Sequence, residues 1–72
     1  MKILKAYTFE ELLCEIPELE KYKETYKSYT VIGINIIPIL EKFAKQNKLQ
    51  YLEFTHLFNG EDKILYFLFE KI

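Results

Sequence analysis

Two β-rich runs, residues 49–58 and 63–69, flank Asn59-Gly60-Glu61-Asp62. An Asn-Gly pair between apolar runs marks a tight hairpin turn, because such turns need φ > 0 and Asn and Gly adopt it most cheaply. The chain is therefore expected to contain an antiparallel hairpin over its last third. A hairpin alone is marginal in water, so it needs a further strand or a helical cover.

The turn also constrains which side chains share a face. A two-residue loop pairs Phe58 with Glu61, and hence Phe54 with Leu65 and Leu52 with Phe67. A four-residue loop pairs Phe58 with Lys63. Both set even residues of the first strand against odd residues of the second. One face then carries Leu52, Phe54, Phe58, Leu65, Phe67 and Phe69, and this face is assigned to the core. The other carries Tyr51, Glu53, Thr55, Ile64, Tyr66 and Leu68. A one-residue slip would move every side chain to the opposite face. The second face is amphipathic and rich in tyrosine, which offers a large contact area with a polar tip. Tyr51, Glu53, Ile64, Tyr66 and Leu68 are the candidate protein-binding residues. Two readings of them stand side by side: a surface that another part of the chain covers or water tolerates, and a surface for a partner or a second copy.

The preceding residues supply the cover. Residues 2–6 read as a short strand. Thr8 and Glu11 form a capping box, and Tyr7 with Leu12 a hydrophobic staple, at the start of a helix whose buried stripe is Phe9, Leu12, Leu13 and Ile16. Pro17 ends that helix and suits the first position of another, with Glu18 and Glu20 near its start, lysines toward its end and an apolar side of Leu19, Tyr22 and Tyr26. Residues 28–34 read equally as strand, loop or helix. Asn35 is expected to cap a third helix with Pro38 in its first turn, a stripe of Ile36, Ile37, Leu40, Phe43 and Ala44, and a stop at Asn47. The fold class is α+β, one domain over 1–72: a short N-terminal strand, two to three helices and a C-terminal antiparallel hairpin. Its sheet has three strands, or four if residues 29–34 are extended.

A 72-residue chain buries only about 60% of its unfolded surface and is marginal without some additional constraint. One cysteine excludes an intrachain disulfide, and Cys14 with His56 cannot build a zinc site. A partner remains. All the basic residues are lysine and the net charge is −1, which disfavours the arginine-based reading of DNA. The wealth of Lys, Ile, Tyr, Phe and Asn follows from AT-rich codons and points to a low-GC bacterium, its phages or its plasmids. Residues 1–6 lack the apolar core of a signal peptide, and no apolar run approaches the length of a membrane span. The expected location is cytoplasmic.

No constellation for catalysis emerges. Cys14 is expected as a small buried hydrophobe without a basic neighbour. His56 is expected opposite Lys63 in the shorter register, as a solvated or edge histidine. Glu10, Glu11, Glu15, Glu18, Glu20 and Glu24 read as a solvated helical face. Gly33 and Gly60 do not make a phosphate loop. The chain is read as no enzyme, with no catalytic residue, metal or cofactor.

The order of three helices followed by a hairpin resembles the winged-helix architecture. That resemblance implies a recognition helix over 35–47 and a nucleic-acid-binding regulator as the alternative function. The sequence departs from it where bases would be read, with Ile36, Ile37, Pro38 and Ile39 in the first turns and Glu61 and Asp62 at the wing tip, so nucleic acid is not the expected partner. The leading expectation is a protein-binding module, an inhibitor or adaptor encoded by a phage or other mobile element. A homodimer, or a structural homo-oligomer with no separate target, is the further alternative.

Overall fold

Thr8 is the joint between the first strand and the first helix. The structure, a computed structural model, describes residues 3–72, with Asn59 described by its backbone alone. Strand β1 (Leu4–Thr8) runs directly into α1 (Phe9–Glu15). Thr8 Oγ1 accepts the Glu11 backbone N–H at 3.2 Å, and Glu11 Oε1 accepts the Thr8 N–H at 3.0 Å. The capping box is therefore formed, and both N–H groups find partners that the helix itself cannot supply. The strand lies two residues later than expected; Lys2 is outside the described residues.

Pro17 ends α1 and opens a 3-10 helix, Pro17–Tyr22. Leu19 in it is fully buried, and the Tyr26 ring stacks on Phe9 with centroids 4.1 Å apart and planes 5° from parallel. Of residues 28–34, Ser28 is an extended cap and 29–34 prove helical. A short α2 (Tyr29–Val31) passes through a π turn (Ile32–Ile36) into α3 (Ile37–Gln46). Asn35 is thus inside a helical run, not its cap. Burial explains the outcome: Ile32, Ile36, Leu40 and Ala44, four residues apart, form one buried stripe, which outweighs the strand preference of Val31 and Ile32. Pro38 explains the π turn. Proline has no N–H and crowds the carbonyl four residues earlier, here that of Ile34. Just ahead of it the Ile37 N–H reaches back five residues to the Ile32 carbonyl, which widens the turn. At the far end the Asn47 N–H and Nδ2 both donate to the Phe43 carbonyl, Nδ2 at 2.8 Å, and Lys48 takes φ 56° to start the return.

Strands β2 (Leu49–Asn59) and β3 (Asp62–Lys71) form the hairpin. The sheet order is β1-β3-β2, antiparallel throughout, so β3 is central. The turn is Gly60-Glu61, held between Asn59 and Asp62. Gly60 has φ 68°, at the first central position, where a II′ turn needs glycine. Phe58 faces Lys63 and Phe54 faces Phe67, the register expected for the longer loop. Leu65, Phe67 and Phe69 point into the helices, where Phe67 and Phe69 are fully buried among Leu12, Leu19, Ile32, Ile36 and Leu40. Tyr7 packs edge-on to Phe43 at 6.3 Å and to Phe69 at 5.4 Å.

Four side chains depart from their expected places. Tyr51 faces Phe69 and Glu53 faces Leu68, so Leu52 between them is an extra, bulged residue. The bulge reverses the alternation, carrying Tyr51 into the core and leaving Leu52 exposed. Phe58 keeps its face but is 74% exposed, because a strand of 11 residues spans about 36 Å and runs past the helices. Cys14 is exposed, since the inward side of α1 is taken by Phe9 and Leu12.

Thr8→Ala is expected to cost about 1 kcal/mol of stability in urea unfolding. Deleting Leu52 should leave a cooperatively folding protein whose Tyr51 still contacts Phe69, because it restores regular alternation on both sides. Deleting Thr55 shifts the strand by one residue and should abolish cooperative unfolding.

Candidate functional site: the open face of the sheet

The helices cover one face of the sheet, and among the described residues no element forms a second layer over the other. Register defines its rows. Ala6, Leu68 and Glu53 lie side by side across the three strands, and Thr8, Tyr66 and Thr55 form the next row. Ile64 pairs with Leu57 toward the turn, and Glu70 pairs with Leu4 at the other end. Tyr66, between Thr8 and Thr55, and Leu68, between Ala6 and Glu53, are half-buried on this face. Leu4 is 66% exposed and Leu57 54% exposed, which extends the apolar surface at both ends.

Of the residues expected here, Glu53, Ile64, Tyr66 and Leu68 share this face by register. Tyr51 does not. Its ring meets Phe69 edge-on at 5.5 Å, and its hydroxyl is buried with no hydrogen-bond partner among the described residues. Burial, with the nearby Glu53 and Glu41 carboxylates adding to it, pushes the phenol up to about 12. Tyr51 is therefore a core residue with a polar tip left unpaired. Leu4, Ala6 and Leu57 belong to the face and escape a reading confined to the residues nearest the centre of the hairpin. The alternation of the first strand, extended across the sheet, is the signal that finds them.

Charge on the sheet is sorted by side. Among the described residues, the charged strand residues on the open face are Glu53, Asp62 and Glu70, by the alternation of the register. The strand lysines, Lys5, Lys63 and Lys71, pair with Phe69, Phe58 and Leu49 on the helix side. The open face is thus apolar at its centre and acidic at its rim.

His56 lies opposite Leu65, not Lys63, on the helix side of edge strand β2. Its ring stands 5.9 Å from that of Tyr29. Burial, then the Lys63 ammonium, lower its pKa below the ordinary histidine value. Among the described residues no cluster of three or more His, Cys, Asp or Glu side chains could hold a metal ion, and no helix is long and apolar enough to cross a membrane. No family model, curated protein or solved structure matches the chain.

Removing the unpaired hydroxyl while keeping the ring should stabilise the fold. Tyr51→Phe is expected to raise the thermal midpoint, with a gain on the order of 1 kcal/mol in urea unfolding; a loss of that size would mean that the hydroxyl has a stabilising partner.

Proposed function

We propose that the chain is a protein-binding module, an inhibitor or adaptor, that docks through the open face of its sheet. The observation that carries this reading is a continuous apolar strip, Leu4, Ala6, Leu68, Tyr66, Ile64 and Leu57, with no second layer over it. Tyrosine at the centre of such a strip and carboxylates at its edge match the anatomy of protein interfaces, an apolar core within a polar rim. The accessible surface of 5300 Å² also exceeds the roughly 4,700 Å² expected of a monomer of 8.7 kDa.

The rim narrows the partner. Stacking two copies face to face would bring the Glu53 and Asp62 carboxylates of one copy toward those of the other, which costs energy and slows encounter. A different protein with an apolar patch framed by lysine or arginine fits better. The composition supports a gene of a mobile element in a low-GC bacterium, and the proposed place of action is the cytoplasm.

Capture from host lysate on the tagged protein tests the reading, with wild type and Tyr66→Glu run in parallel. One stoichiometric partner that withstands nuclease and high salt is expected, and Tyr66→Glu should weaken its capture at least about tenfold while circular dichroism and thermal midpoint stay near wild type. Capture that disappears with nuclease would replace this reading with the nucleic-acid regulator, whose contacts weaken steeply with salt. Self-association that Tyr66→Glu abolishes would replace it with the homo-oligomer.

A further inference from the structure

A cavity of about 430 Å³ opens on the helix side of the sheet, lined by Lys27, Tyr29, His56, Lys63 and Leu65. It lies across the sheet from the open apolar face and is independent of it. Its volume is within the range of small-molecule sites, roughly 300–1,000 Å³. Three distant parts of the chain build it: the loop before α2 together with the first residue of α2, edge strand β2 and central strand β3. Among the described residues that line it, two are lysines, one is a histidine and none is acidic. A concavity lined by one sign of charge focuses its field and draws the opposite charge.

The walls specify more than charge. The Tyr29 ring is held 5.6 Å from Phe54 and 5.9 Å from His56, yet Tyr29 is 62% exposed, so part of a positioned ring remains free. Leu65 supplies an apolar floor. Glu10 lies in a neighbouring hollow that shares Lys27, Lys63 and Leu65. Asp62 alternates to the open face, away from the cavity. Burial, then the Lys63 ammonium, holds the His56 pKa below its ordinary value, and an incoming anion would oppose the part that Lys63 contributes.

We propose that this cavity is a binding site for a small aromatic anion, with the anionic group between Lys27 and Lys63 and the flat ring against Tyr29 and Leu65. Lysine ammonium groups bind phosphate or carboxylate as point charges, and the aromatic wall adds stacking that an inorganic ion cannot use.

Nuclear magnetic resonance titration of the full chain tests this with three probes: phenyl phosphate, inorganic phosphate and phenol. Phenyl phosphate is expected to give saturable shifts centred on Lys27, Tyr29, His56, Lys63 and Leu65, at least about tenfold tighter than either of its halves. The Lys27→Ala/Lys63→Ala variant should weaken that binding about tenfold or more, and both residues are exposed, so its amide spectrum should otherwise match wild type. Should that variant unfold, Lys27→Gln alone should lower the affinity in a folded protein. Binding of inorganic phosphate as tight as that of phenyl phosphate, shifts that do not saturate, or an affinity insensitive to the lysines would overturn the proposal.

Discussion

Phe67 and Phe69 lie on the middle strand of the sheet with no exposed surface, and the remaining elements are arranged around them. Phe69 alone meets Tyr7 from β1, Phe43 from α3 and Tyr51 from β2, at centroid distances of 5.4, 6.0 and 5.5 Å. Edge-to-face rings at these separations contribute about 0.5–1.5 kcal/mol each beyond their burial. They also fix orientation, because each ring is met on its edge and not simply enclosed. Two phenylalanines two residues apart set which face of β3 is inward, and that choice decides the fate of Ile64, Tyr66 and Leu68 on the other. The open face is in this sense a product of the core.

Local grammar made much of this legible. Thr8 and Glu11 are three residues apart in an order that has one use, and the structure uses it. Asn59-Gly60 marked the hairpin, although the turn settles one residue later, on Gly60-Glu61. What escaped depended on several residues acting together. The bulge at Leu52 has no signature in the residues around it: Tyr51 is apolar enough for the core and polar enough for the surface. Only the simultaneous demands of Leu49 below and Phe54 above, both turned toward the helices, require an extra residue between them. Asn35 has the chemistry of a cap, but the four-residue spacing from Ile32 to Ala44 decided where the helix ran. The type of Cys14 suggests burial, whereas its angular position on α1 sets its exposure.

The two faces of the sheet carry opposite chemistry. Strand alternation sends Glu53, Asp62 and Glu70 to the uncovered side and Lys5, Lys63 and Lys71 to the helical side. Among the described strand residues, carboxylates and lysines thus lie on opposite sides of one layer of backbone in a chain of net charge −1. Bulk charge, which argued against nucleic acid, does not reveal that division. The proposed protein contact uses the acidic side and the proposed aromatic-anion site uses the basic one, so either can be tested with the other left intact.

The central strand is also the one made last. β1 and β2 never touch as strands; each finds its hydrogen-bonding partner only in β3. During synthesis the helices can form as they emerge, yet their apolar stripes have nothing to pack on, and the first strand must wait for more than fifty residues before its neighbour arrives. Loop closure over that distance delays sheet formation until β3 has left the ribosome. The nascent chain therefore leaves Phe9, Leu12, Leu40 and β1 without their sheet neighbours until β3 has been made.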